Sequence, residues 1–217
     1  MHDCAAILAE TARAAGSEEF RFRDQTIDPN APPERLTVAD AFARYAGVDL
    51  LATVDGSVGD RAALAAEAAR IGVATARDDT WGDVFSRILA ERVDRHLGQD
   101  RATVLYEYPL PLAALARPKS GDNKTAERFE LYACGVELAN AFGELTDVAE
   151  QRARFEAAMS EKQRIHGERY PVDEDFLAAL EQMPRASGIA LGLDRLVMLA
   201  TGAQRIDQVI WTPVVEP

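Results

Sequence analysis

The residues with the clearest chemical potential are three glutamates in one otherwise apolar segment, residues 127–147 (ERFELYACGVELANAFGELTD). Glu130, Glu137 and Glu144 stand there among Phe, Leu and Val residues that are typical of a core. Burying a carboxylate without a partner is costly, so such a cluster indicates a bound cation. Mg²⁺ held together with substrate phosphates is one candidate, and an ammonium group is another. The alternative is a hairpin with one face in water, to which the glutamates point.

Side-chain alternation along a strand restricts how these groups can meet. Asn140, Phe142 and Glu144 fall on one face of a strand, whereas Glu137 falls on the other. A bulge between Glu137 and Asn140 would bring all four onto one face, and bulges are frequent beside active sites. The segment therefore predicts an irregular strand between these two residues.

A second segment, residues 188–195 (GIALGLDR), combines a strand of small and apolar residues with an arginine at the start of a helix. Small residues allow a flat ligand to lie against the strand, and Arg195 at a helix N-terminus is well placed to bind phosphate. The alternative is a packed strand followed by a surface pair of Asp194 and Arg195. Neither segment decides between these interpretations alone.

The elements that would position these residues indicate an α+β fold, with a mostly antiparallel sheet flanked by helices. Strands are predicted at 103–108 and 187–193, and two apolar runs that meet at Gly135 predict a hairpin. Residues 35–98 read as a helical subdomain of a single domain that includes all of 1–217. Capping residues and composition predict helices at 2–15, 37–45, 60–71, 80–97, 147–165, 173–183 and 194–202.

The composition is that of a soluble globular protein, with 217 residues of which 47% are hydrophobic and 28% charged. No apolar run is long enough for a membrane span, which predicts a cytoplasmic protein without membrane association. The formal net charge of −12 disfavours nonspecific binding to nucleic acid. Cys4 and Cys134 stand alone and indicate neither a disulfide nor a zinc site, and the three scattered histidines indicate no metal site or hydrolase triad.

Taken together, the two segments resemble the last third of class II lysyl-tRNA synthetases, whose third signature motif is a Gly-rich strand that ends in arginine. VLYEYP, TDVAEQRARFE and the terminal IDQVIWTP resemble the same family, so the likeness runs over residues 100–217. Residues 1–98 match more loosely, and roughly 35–98 match the helical insertion that such enzymes carry between their second and third motifs. The resemblance implies the C-terminal portion of a class II catalytic domain that uses ATP and Mg²⁺.

The resemblance also implies roles at the nucleotide end of the site. Glu130 and Glu137 match the carboxylates that hold Mg²⁺ and ATP. Arg195 matches the motif 3 arginine that binds the γ-phosphate, and Asp194 stands where the family usually has an acid.

At the amino-acid end, Asn140 matches a residue that contacts the substrate carboxylate, and Phe142 matches one that packs beside the adenine or the substrate. Glu144 matches the acid that pairs with the lysine ammonium. Ala190 stands where lysyl-tRNA synthetases typically have Gly, whereas the paralogues that attach (R)-β-lysine to elongation factor P have Ala there.

The resemblance therefore implies an ATP-dependent ligase that activates lysine or (R)-β-lysine as the adenylate and transfers it to a lysine of elongation factor P. A class II lysine-tRNA ligase is the second hypothesis, with tRNA as the less favoured acceptor. A non-catalytic remnant that binds lysine or a partner protein is the third.

Motifs 1 and 2 of the family, which supply a dimer-forming helix, an arginine for the α-phosphate and a second acid for lysine, have no counterpart in this sequence. Residues 20–24 (FRFRD) mimic the start of motif 2, but no return strand of the His-x-x-Glu-Phe kind follows. We therefore expect Met1 to be an internal start or the chain to be a fragment. Such a fragment would be inactive alone, and its full-length parent would be a homodimer.

Overall fold

A computed structural model describes residues 1–113 and 115–212 of the chain. The end of the predicted IDQVIWTP match, Pro213, lies outside the described residues. The strands are β1 Phe20–Phe22, β2 Gln25–Ile27, β3 Glu34–Thr37, β4 Val54–Asp55, β5 Val58–Gly59, β6 Thr103–Pro109, β7 Thr125–Ala133, β8 Val136–Gly143 and β9 Ser187–Leu191. The helices are α1 His2–Ala15, α2 Val38–Ala46, α3 Arg61–Arg70, α4 Trp81–Ile88, α5 Val148–His166, α6 Glu174–Glu181 and α7 Leu193–Thr201.

The main sheet has five strands in the order β3-β6-β7-β8-β9. β3 runs parallel to β6, and every other pair in this sheet is antiparallel. The predicted hairpin joins β7 to β8 through Cys134 and Gly135, whose φ angles are 51° and 71°. Two successive positive φ angles match the twist of the flanking strands, which is why a glycine is favoured at this turn. The prediction of a mostly antiparallel α+β fold is confirmed.

Two apolar cores lie on opposite faces of this sheet. One combines Leu105 and Tyr132 with Phe42 and Phe85, and it joins the sheet to α2 and α4. The other packs α1, β1 and α7 against the opposite face and includes Leu131, Leu138 and Leu199 among its members. The helical subdomain thus covers the β6 side of one face, and it leaves the β8–β9 side of that face open.

Side chains at the predicted helix starts cap the helices. The Thr37 hydroxyl accepts a hydrogen bond from the Asp40 amide, and Thr80 and Asp83 form a reciprocal capping box. The aspartates before α3, α5 and α6 cap those helices in the same way. Because each cap satisfies an otherwise unpaired amide, these starts could be read from the sequence.

The helical region differs from its prediction in three places, and one of these is the short two-stranded sheet formed by β4 and β5. Residues 34–37 form β3 of the main sheet, because their backbone pairs with β6, so the region that is helical begins at Val38. The predicted helix at 80–97 is continuous only to Ile88. It then widens into a π turn at Leu89–Val93 and tightens into a 3₁₀ turn at Asp94–His96, as helices often do beside functional sites.

The segment that mimics motif 2 lies outside the main sheet. β1 does have a return strand, β2, but the pair forms a separate two-stranded sheet. Arg21 pairs with Glu19, and Arg23 lies over the ring of Phe22 at 5.1 Å. Both cysteines are free and buried. Within the described residues, no helix has the length and apolarity that crossing a bilayer would require.

Candidate functional site

The candidate site lies on the face of β7, β8 and β9 that is continuous with the helical subdomain, and we call it the site face. Glu130, Asn140 and Ala190 are directly opposite one another on the three strands. The next row along the sheet contains Phe142 and Gly188. Residues opposite one another in a sheet share a face, so strand register alone brings these positions together.

The predicted bulge is present in β8. Leu131 pairs with Ala139, but the next residue, Tyr132, pairs with Glu137, so Leu138 is the extra residue of the bulged strand. Leu138 packs into the core of the opposite face. The bulge therefore turns Glu137 onto the site face beside Glu130, as side-chain alternation requires.

Glu130 is the most buried of the three glutamates, with only 7% of its surface exposed. Arg128 donates a hydrogen bond of 2.8 Å to one carboxylate oxygen, and the Tyr132 hydroxyl donates one of 2.7 Å to the other. The Arg128 guanidinium lies 4.3 Å from the ring centre of Tyr108 and 5.6 Å from that of Phe142. These contacts fix Glu130 in one orientation, and each of its oxygens retains a lone pair for a further ligand.

Glu137 and Arg195 line a cavity of about 400 Å³ at the β7–β8 hairpin end of the site face. The Arg195 guanidinium donates a 2.7 Å hydrogen bond to the Glu137 carbonyl and lies 4.0 Å from its carboxylate. Burial, and after it the charge of Glu130, raises the pKa of Glu137 above its ordinary value. Arg195 stands in the first turn of α7, as predicted, and remains exposed. Asp194 is exposed too and does not line this cavity.

Asp94 is a fourth carboxylate of this region, and it was not among the residues predicted from the sequence. It lines the same cavity, and its Oδ1 atom is buried without a hydrogen-bond partner. Burial and the nearby charge of Glu130 raise its pKa. Asp94 comes from the 3₁₀ turn of the helical subdomain, 36 residues before Glu130 in the sequence, and no local pattern marks that contact.

Glu144 lies at the opposite end of the site face, next to β9. Its backbone amide donates to the Ala186 carbonyl at 3.1 Å, and its half-buried carboxylate lies against Gly188. That carboxylate makes no hydrogen bond or ion pair within residues 1–113 and 115–212. The Asn140 Oδ1 atom, between Glu144 and Glu130, is likewise buried and unpaired. Two unpaired acceptors on one face indicate a place for a donor or cation.

Glu130 and Glu137 both stand on the site face, and the charge of Glu130 contributes to the raised pKa of Glu137. Over the described part of the chain, no group of three or more His, Cys, Asp or Glu side chains is arranged to hold a metal by itself. Mg²⁺ usually keeps several waters and binds through one or two carboxylates plus substrate phosphates. The pair therefore fits an ion that arrives with a nucleotide.

Known proteins share the sequence of this chain over most of its length. The profile of the tRNA synthetases class II (D, K and N) matches residues 4–216. The elongation factor P (R)-β-lysine ligase of Proteus mirabilis is 41% identical over 184 residues, which are 83% of this chain and 55% of that protein. The corresponding ligase of Edwardsiella ictaluri is 41% identical over 180 residues, which are 82% of this chain and 54% of that protein.

The lysine-tRNA ligase of Dehalococcoides mccartyi is 39% identical over 206 residues, which are 93% of this chain and 40% of that protein. The chain thus spans about half the length, or less, of these curated relatives. The family match covers nearly all of its own residues. The chain belongs to the class II tRNA synthetase family of the D, K and N type.

Proposed function

We propose that this chain is part of an ATP-dependent ligase that activates lysine or (R)-β-lysine as the adenylate and transfers it to a lysine of elongation factor P. The unpaired carboxylate of Glu144 carries the proposal, since a half-buried acid without a partner is suited to a substrate ammonium. The similarity to the elongation factor P (R)-β-lysine ligases of Proteus and Edwardsiella supports the same chemistry.

The site face offers an order of binding groups that matches a lysine-like substrate and ATP. Glu144 would bind the side-chain ammonium, and Asn140, four residues earlier and on the same face, would contact the substrate carboxylate. Ala190 lies directly opposite Asn140 and is exposed, so it would lie beneath the backbone-like end of the amino acid. Phe142 lies between Asn140 and Glu144 and would pack beside the substrate.

The nucleotide would lie toward Glu130, Glu137 and Arg195. Arg195 would bind a terminal phosphate oxygen, because it is the exposed cation of the 400 Å³ cavity. Mg²⁺, when bound, would supply positive charge that offsets the repulsion between the phosphates and the two glutamates. Glu130 needs no rearrangement for this role, because Arg128 and Tyr132 already fix its orientation.

In the first reaction, a carboxylate oxygen of the amino acid attacks the α-phosphorus, and the bond to pyrophosphate breaks. In the second, an acceptor amine attacks the acyl carbon of the adenylate, AMP leaves, and the amine loses a proton. The protein's part is to hold the reactants in line and to balance charge. We expect the 217-residue chain alone to show negligible activity, because counterparts of the α-phosphate arginine and the second lysine-binding acid were not found in its sequence.

A lysine-tRNA ligase is the second candidate, and one observation favours it. The Dehalococcoides enzyme aligns with 93% of this chain, a larger share than the 83% aligned with the Proteus ligase. Both candidates use the same adenylate, so they differ only in the acceptor.

A chimera tests the choice of acceptor. This chain would replace the matched 184 residues of the Proteus ligase, and transfer of labelled (R)-β-lysine and lysine would be measured with purified elongation factor P and with lysine tRNA. We expect label on elongation factor P. Label on tRNA alone would support the second candidate, and a folded chimera that labels neither would support a non-catalytic remnant. Glu144→Gln in the chimera is the matched control, since it should reduce labelling of either acceptor.

A further inference from the structure

Gly188 on β9 has an unusually specific spatial requirement. A Cβ atom built there would lie 2.6 Å from the Oε1 atom of Glu144, closer than real Cβ contacts. The φ angle of Gly188 is not positive, so the backbone at this position would accept any L-amino acid. The Glu144 carboxylate, and not the backbone conformation of the strand, is therefore what requires a glycine at position 188.

We propose that Gly188 determines substrate specificity, by leaving the space in which the Glu144 carboxylate meets the terminal primary ammonium of the substrate. The inference rests on the proposed function, which assigns ammonium binding to Glu144. Within the described residues no hydrogen bond holds that carboxylate in place. A methyl group at position 188 would displace it from the site face, because nothing opposes the movement.

The spacing along β9 gives the substrate a length. Gly188 and Ala190 lie on the same face two residues apart, a separation of about 6.6–6.8 Å along an antiparallel strand. An extended chain of five bonds, as between the α-carbon and the side-chain nitrogen of lysine, spans about 6 Å with bonds of about 1.5 Å. A lysine whose backbone end lies over Ala190 therefore places its ammonium at Gly188. A chain one methylene shorter would leave the ammonium about 1.3 Å short of it.

The test compares binding of L-lysine and of L-norleucine, its analogue without the side-chain ammonium, to the purified chimera by titration calorimetry. We expect the chimera that carries the wild-type sequence of this chain to bind lysine more tightly than norleucine. Gly188→Ala should weaken lysine binding by about 10- to 200-fold, the range for one misplaced methyl group in a pocket, and should leave norleucine binding within about twofold. In the Glu144→Gln background, Gly188→Ala should change lysine binding by less than about twofold, because the interaction is already lost.

Gly143→Ala is the matched control. A Cβ atom at Gly143 would collide with the carboxylate of Glu127 on the opposite face, closer even than the contact at Gly188, and would lie 3.0 Å from the Arg117 guanidinium that pairs with Glu127. Both substitutions thus displace a glutamate, but only Gly188→Ala should alter the preference for lysine over norleucine. Glu144→Asp combined with Gly188→Ala should recover part of that preference, because the shorter side chain leaves room for the methyl group.

The outcomes separate the inference from the proposed function. If Glu144→Gln removes the lysine preference and Gly188→Ala keeps it, Gly188 has no part in specificity and the inference alone is wrong. If wild type binds lysine no better than norleucine, both the inference and the assignment of Glu144 are contradicted. Unfolding temperatures of all variants, which should agree within a few degrees, show that each binding change is measured on folded protein.

Discussion

The pairing of Arg128 with Glu130 allows a quantitative prediction for Arg128→Met. The two side chains are only 17% and 9% exposed, so the substitution leaves a buried carboxylate with Tyr132 as its remaining partner. It also removes the 2.8 Å hydrogen bond to the Leu112 carbonyl. Breaking a buried pair on one side costs about 3–5 kcal/mol. For a chain of this length each kcal/mol corresponds to about 2–4 °C, so we expect Tm to fall by about 6–20 °C.

The assay is thermal and urea unfolding followed by circular dichroism at pH 7.5, with Arg152→Met as control. Arg152 pairs with Glu174 on the surface, where the side chains are 40% and 65% exposed, and such a pair contributes about 0–1 kcal/mol. Adding Glu130→Gln to Arg128→Met should restore part of the loss, because no buried charge then lacks a partner. The reasoning is refuted if Arg128→Met is no less stable than Arg152→Met.

Three further predictions concern the site. Asp94→Asn should raise the stability of the isolated chain at pH 7–8 by about 1 kcal/mol, the lower end of the cost of an unpaired buried group. The folded-state pKa of Asp94 is raised, so this gain in stability should shrink as the pH falls through that pKa and vanish near the unfolded value of about 3.9. Unfolding measured at pH 3.5 and 7.5, with Asp100→Asn at an exposed position as control, tests this prediction. Arg195→Ala in the chimera should raise the KM for ATP by about tenfold or more while KM for lysine stays within about threefold, since our proposal assigns the arginine to the nucleotide alone. Equal changes in both constants would contradict that assignment. Ala190→Gly in the chimera should raise the ratio of kcat/KM for α-lysine to that for (R)-β-lysine by about 10-fold or more, since a methyl group in a pocket discriminates about 10–200-fold. A ratio unchanged within twofold would make Ala190 a packing residue.

Strand periodicity accounts for the parts of the site that could be predicted from sequence. Alternation along β8 required a bulge between Glu137 and Asn140, and Leu138 is the extra residue. Helix starts were predictable because each depends on one side chain within four residues of the amide it caps.

The contacts of the glutamates were harder to predict from the sequence. Arg128 and Tyr132 stand two residues either side of Glu130, so alternation could have placed them on its face, but the hydrogen bonds depend on side-chain rotamers. Asp94 reaches the site through a helix that changes to a π turn, a change for which the sequence offers no signal. Gly188 reads as one of several motif glycines until the position of the Glu144 carboxylate is known.

The central claim is that the site face binds a lysine-type amino acid through Glu144. Lysine-dependent exchange of pyrophosphate into ATP by the chimera, measured with and without Glu144→Gln, tests it most directly. We expect exchange that requires lysine and falls about 100-fold or more in the variant, since removing one partner of a desolvated charge pair costs about 3–5 kcal/mol. Exchange by the Glu144→Gln chimera at the unsubstituted rate and with the same KM for lysine would contradict the claim.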